Sequence, residues 1–145
     1  MKPTVTWVLL ADTQSARIVM NTGPGKGFEG VAGKEFKAPP AAEFADIQGR
    51  GHSRQGPGRS AMQGTDPKVR ATEIFAKTIA DDLERSATKG AFDRLVLVAG
   101  PKMLSALRDA LPKPVRDRVL SEVAKDLTKV RLEDLPDHLG EVLAA

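Results

Sequence analysis

The segment Val5-Thr6-Trp7-Val8-Leu9-Leu10-Ala11 is apolar or β-branched at every position. A strand that is apolar on both sides suits the middle of a sheet covered on both faces. Asp12-Thr13-Gln14-Ser15 is a polar turn, and Ala16-Arg17-Ile18-Val19-Met20 reads as a second strand, so the pair forms a hairpin. After the turn Gly23-Pro24-Gly25-Lys26-Gly27, the stretch from Phe28 to Lys37 is a weaker strand. Its Gly30 and Gly33 place it at an edge or at a bulge. Three short strands in succession make an antiparallel meander.

The pattern then stops. From Ala38 to Thr65 there is no sustained periodicity, and Pro39, Pro40, Gly49, Gly51, Gly56, Pro57, Gly58 and Gly64 punctuate the stretch. A structureless run of this length inside a compact domain is a functional loop or a disordered one. Asp66-Pro67 restarts regular structure as an N-cap followed by proline in the first helical position. Phe75, Ile79, Leu83 and Ala87 recur every four residues, widened by Ile74 and Ala76, and Lys89-Gly90 ends the pattern. Arg94 to Ala99 is a short buried strand before Gly100-Pro101. Met103, Leu104, Leu107 and Leu111 then give a helix its apolar face, and Pro112 and Pro114 end it.

Arg116 to Leu127 fits two periods. Val119, Val123 and Leu127 suit a helix, whereas Val119, Ser121, Val123, Lys125 and Leu127 suit one side of a strand. Leu132 to Leu143 reads as a closing helix with Pro136 in its first turn or at a break. The order β-β-β, long loop, α-β-α-β-α predicts an α/β fold. Its single mixed five-stranded sheet has a meander followed by βαβ crossovers, and helices flank it. The length of 145 residues is that of one domain spanning 1–145, with a long flexible basic loop at about 38–65.

Composition narrows the chemistry. There are no cysteines, which excludes a disulfide scaffold, a thiol nucleophile and cysteine-based zinc sites. No apolar run approaches the roughly 20 residues that span a bilayer, and Trp7 to Ala11 is too short for a signal-peptide core. A soluble, cytoplasmic protein without membrane partners is expected. The net charge of +3 is uneven: residues 1–75 hold ten Lys/Arg against seven Asp/Glu, and residues 76–145 hold twelve of each. The excess therefore sits in the first half, where it is compatible with a polyanionic partner.

The same half holds the strongest local signal. From Ile47 to Thr65 there is no acid, while Arg50, His52, Arg54 and Arg59 alternate with Gln48, Gln55 and Gln63 among glycines. Glycine lets a backbone approach a ligand closely, and arginine pairs bidentately with phosphate at any working pH. The competing reading is a loop that is polar because it is solvated. Gly25-Lys26-Gly27 lacks the Ser or Thr and the helix of a phosphate-binding P-loop, so it reads as a hairpin turn. His52 and His138 have no partner at metal-ligand spacing, and neither a metal nor a cofactor is expected. His138 reads as a surface or packing residue of the last helix. Asp12 and Gly100-Pro101-Lys102 each follow a buried strand. If those strands are neighbours, Asp12, Gly100 and Lys102 line a crevice beyond the strand ends, where open α/β sheets bind ligands. Otherwise Asp12 starts a turn and Gly100 caps a strand.

Three pieces of the chain carry a family resemblance. They are Trp7-Val8-Leu9-Leu10-Ala11-Asp12 with Ala16-Arg17-Ile18, then Phe92 to Ala99 with Pro101, and then Val119 to Lys129 followed by Leu135 and His138-Leu139. Together they resemble the bacterial family of host attachment proteins over nearly the whole chain, most specifically from Lys125 to Lys129. The resemblance implies a strand up to about Asp126. That family is in turn similar to the middle domain of archaeal and eukaryotic class-1 peptide-chain release factors, which implies a ribonuclease-H-like mixed sheet. In release factors a Gly-Gly-Gln loop before the long helix enters the peptidyl-transferase centre. Here Gly49-Arg50-Gly51 resembles the lead-in to that motif, and Gln55 is the candidate catalytic glutamine. No glycine pair precedes Gln55 in Gly51-His52-Ser53-Arg54-Gln55. The resemblance therefore implies binding to ribosomal RNA, tRNA or the ribosome, in termination or in rescue of stalled translation, rather than codon-dependent termination. The alternative is a protein-interaction or adaptor module that serves attachment indirectly.

Overall fold

The computed structural model describes residues 4–39 and 66–143. The strands are β1 (Thr6–Ala11), β2 (Ser15–Asn21), β3 (Glu29–Lys37), β4 (Arg94–Ala99) and β5 (Val119–Val123). The helices are α1 (Pro67–Thr88), α2 (Pro101–Ala110), the single turn α3 (Lys113–Arg116) and the short α4 (Leu135–Leu139), which a 3₁₀ turn (Leu132–Asp134) precedes. The strands form one five-stranded sheet in the order β3-β2-β1-β4-β5. β1 pairs antiparallel with β2, and β2 with β3; β1 pairs parallel with β4, and β4 with β5.

Each strand sits where its side-chain pattern can be buried. Every residue of β1 is buried, as its apolar run requires of a central strand. Trp7, Leu9 and Ala11 face one side together with Leu95, Leu97 and Ala99 of β4, while Val8 and Leu10 face the other with Val96 and Val98. The period of two in a strand thus divides one apolar run between two cores. β3 is largely exposed, and its pairing with β2 shifts register between Arg17 and Val19. Gly33 takes φ +77° there, a left-handed conformation that glycine adopts without steric cost.

The first face of the sheet is covered by α1 and α2. Phe75, Ala76, Ile79, Ala80, Leu83 and Ala87 of α1 and Met103, Leu104 and Leu107 of α2 pack on it. Asp66 caps α1 by accepting the Lys68 backbone N–H at 2.8 Å. At the end where β4 begins, Phe92 stacks on Trp7 with ring centroids 4.8 Å apart, and the Arg118 guanidinium lies over the Phe92 ring.

The second face is covered more thinly, by the chain after β5. Leu127, Leu135, Leu139 and Leu143 bury themselves against Val8, Leu10, Val19, Val96 and Val98. The closing segment is not the single helix that its leucine spacing suggests. Pro136 lacks the N–H that would continue the helical ladder. The chain forms a 3₁₀ turn, then the five residues of α4, then turns again at Gly140. His138 is exposed on α4. The ambiguous segment resolves as β5, shorter than the resemblance implied, with Leu120 displaced by a register shift against β4 and left 43% exposed.

Candidate functional site

β1 and β4 end side by side, with Ala11 opposite Ala99. Beyond that point the chain diverges: Asp12 turns toward β2, and Gly100 turns into α2. Two neighbouring parallel strands whose continuations leave in different directions open a crevice at their carboxyl ends. Here it is a cleft of about 1250 Å³, lined by Asp12 and Lys102 among others. Of the three residues expected to line a crevice here, Asp12 and Lys102 line this cleft and Gly100 is not among its lining residues. Gly100 is the N-cap of α2, without a side-chain cap hydrogen bond, and the next two residues, Pro101 and Lys102, contribute to the lining.

Asp12 also starts the turn. Its Oδ1 accepts the backbone N–H of Gln14 and of Ser15, both at 2.7 Å, which fixes the β1–β2 connection. Its Oδ2 lies 3.3 Å from the hydroxyl of Thr128, in the segment that covers the second face of the sheet. The two readings of Asp12, turn former and cleft residue, hold together because its two oxygens do separate work.

Sequence reasoning missed three of the four lysines of the cleft. Lys37 comes from the end of β3, Lys68 from the start of α1 and Lys129 from the turn after β5; with Lys102 they line one depression. Among the described residues none of the four forms an ion pair with a carboxylate. Four carboxylates share the lining, Asp12, Asp66, Glu73 and Asp109. Of these, Asp12 and Asp66 accept backbone N–H groups. The signal available in the sequence was positional. Lys68 and Lys102 each directly follow the proline that opens a helix, and neither helix has an acid in its first turn. Placing cations at the positive end of the helix dipole runs against the usual preference; at α1 the capping carboxylate of Asp66 offsets it, whereas α2, capped by Gly100, has no such charge.

The chain leaves the described structure at Pro39 and re-enters it at Asp66, and both residues line the cleft. Arg50, His52, Arg54, Gln55 and Arg59 lie outside the described residues, on the stretch tethered at these two points. Gly23 to Gly27 joins β2 to β3 as a turn, with Gly25 and Gly27 at positive φ and the Asn21 amide donating to the Gly27 carbonyl at 2.8 Å. Among the described residues no group of three or more His, Asp or Glu is placed to hold a metal ion. None of their helices is long and apolar enough to cross a membrane.

The turn that bears Lys129 has its own electrostatics. Asp126 Oδ1 accepts the Thr128 hydroxyl at 2.7 Å and the Thr128 backbone N–H at 3.1 Å. The hydroxyl first, then the N–H, then the charge of Lys129 hold the Asp126 carboxyl below the usual carboxylate range. A carboxyl whose pKa is depressed by folding contributes stability above its unfolded pKa and loses it as pH falls through the folded value. Wild type is therefore expected to exceed Asp126→Ala in urea midpoint at neutral pH, with the margin shrinking below about pH 4. A margin that stays constant down to acid unfolding would show that the charged form of Asp126 does not hold this turn.

The sequence matches the family described as "Protein required for attachment to host cells" over residues 7–139, and the chain belongs to that family. No curated protein sequence matches it. Among solved structures it is similar to an archaeal translation termination factor, aRF1, with a TM-score of 0.53 at 11% identity; the match covers 97% of this chain and 35% of that one. A structure described as an archaeal protein matches with a TM-score of 0.53 at 12% identity, again covering 97% of this chain and 35% of the other. The chain thus spans about a third of the length of these proteins, and at such identity the likeness is one of fold. The mixed sheet and its strand order agree with the ribonuclease-H-like arrangement that the resemblance implied.

Proposed function

We propose that this host attachment family protein binds RNA, as ribosomal RNA or tRNA on the ribosome, through its basic 50–59 stretch and the cleft to which that stretch is tethered. One observation carries the reading. Pro39 and Asp66, which flank the segment carrying the acid-free, arginine-bearing run from Ile47 to Thr65, lie on the rim of a cleft to which four separate elements contribute lysines. The arginines offer bidentate contacts to phosphate and the lysines offer point charges. The likeness in fold to a translation termination factor supports the ribosome as the place where such an RNA is met.

The test is co-sedimentation with ribosomes. Wild type is expected to pellet with them and to be released by nuclease, and Arg50→Ala/Arg54→Ala/Arg59→Ala is expected to stay in the supernatant. Equal pelleting of both proteins, or of neither, would contradict the reading.

Gln55 is the residue through which the same segment would reach a peptidyl-tRNA ester, positioning water for its hydrolysis. Gln55→Ala is expected to remove peptidyl-tRNA release while ribosome binding persists. Equal release by both proteins would strip Gln55 of that role and leave the binding function standing.

A second reading follows from the family's description: an adaptor that serves attachment through a protein partner. It differs in one outcome, since partner capture would survive nuclease and moderate salt.

A further inference from the structure

Three of the four cleft lysines stand on regular elements, so sheet and helix packing fixes their backbones: Lys37 on β3, Lys68 on α1 and Lys102 on α2. Lys129 is different. It lies in the irregular stretch between β5 and the final helical turns, yet it reaches the same rim. Its backbone is at the apex of a turn from Leu127 to Val130, closed by the Val130 N–H on the Leu127 carbonyl at 3.1 Å. Leu127 is buried against the second face of the sheet, and Arg17 donates to the Val130 carbonyl, so both feet of the turn are anchored.

The apex has a separate tie. The Thr128 hydroxyl lies 2.7 Å from Asp126 Oδ1 and 3.3 Å from Asp12 Oδ2. A hydroxyl has one proton, which serves one acceptor at a time. The shorter contact gives it to Asp126, with Asp12 in reach as the alternative. Asp12 is itself immobilised by the two backbone N–H groups on its other oxygen. Thr128 is therefore held between a local acceptor and one 116 residues away in sequence that belongs to the cleft wall.

We propose that Thr128 is a positioning residue of the phosphate-binding cleft: through its hydroxyl it fixes the turn that presents Lys129 to a phosphate of the bound RNA. The inference rests on the RNA-binding reading and adds to it one contact and the device that holds it. Ordering a residue's backbone carries an entropic cost. Here that cost is met on folding rather than on binding, which is what preorganisation contributes to affinity.

The test uses the full chain and fluorescently labelled polyuridylate, with affinity measured over a series of salt concentrations. Lys129→Ala, at an exposed position, and Thr128→Val, close in shape and lacking the hydroxyl, are each expected to lower the log–log salt slope by about 0.7, the loss of one single-strand phosphate contact. Thr128→Ser is expected to restore wild-type behaviour. Thr128→Val in the Lys129→Ala background is expected to change nothing further, because its effect passes through Lys129. A merely structural role would not give this non-additivity. Thr128→Val that matches wild type, a Thr128→Ser as defective as Thr128→Val, or additive losses in the double variant would each overturn the inference while leaving RNA binding in place. Wild type that ignores polyuridylate would overturn the RNA-binding reading and this inference together.

Discussion

Replacing Phe75 with alanine is expected to lower the unfolding free energy by about 3–5 kcal/mol, the range for deleting a large aromatic from a packed core. Phe75 is 1% exposed. It lies on the buried stripe of α1, in the cluster that includes Leu9, Ile18 and Leu97 on the first face of the sheet. Truncation loses the transfer energy of the ring and leaves a cavity, and a 22-residue helix packed along its length against the sheet is poorly able to collapse into it. Urea unfolding checks this through the midpoint at unchanged slope. A loss below about 1 kcal/mol would mean that α1 does not pack as described. The effect reaches the site as well, because the first turn of α1 carries Lys68 and follows Asp66 at the rim.

The same helix shows why parts of this fold are legible in sequence. Its stripe, its cap and its stop agree with one another, and the observed range, Pro67–Thr88, follows from them. β1 and β4 were legible for a related reason: a strand apolar at every position has few places to go but the middle of a covered sheet. Their adjacency then brought Asp12 and Lys102 together without further information. The C-terminal third was less legible. Val119 to Val123 carries apolar residues at spacings that suit either period, and only pairing with β4 decides. Leu132, Leu135 and Leu139 have helical spacing, but Pro136 and Gly140 break the ladder, and the leucines serve as separate anchors for an irregular cover.

Most of the site was hidden for a different reason. Lys37, Lys68 and Lys129 come from three separate elements, and no local pattern says that those elements meet. Thr128 was invisible for the same reason, since its link to Asp12 crosses almost the whole chain. What the sequence offered was the acid-free run from Ile47 to Thr65, and at this end of the molecule the fold supplies a cleft for its tethers.

The second large effect concerns that run. Each lysine or arginine that neutralises a phosphate releases condensed counterions, and the slope of log affinity against log salt counts those contacts at about 0.7 apiece for a single strand and 0.9 for a duplex. Removing Arg50, Arg54 and Arg59 together is therefore expected to flatten the slope by roughly 2 to 3. The loss is greatest at low salt, where wild type should outbind the variant by orders of magnitude. A general weakening through misfolding would lower affinity without this change of slope, and thermal melting separates the two.

The most direct measurement is thus the salt dependence of ribosome binding for wild type beside Arg50→Ala/Arg54→Ala/Arg59→Ala. The account predicts a steep line for wild type and a line flatter by roughly 2 to 3 for the variant. Two parallel lines, or wild type that binds no ribosome at low salt, would contradict it.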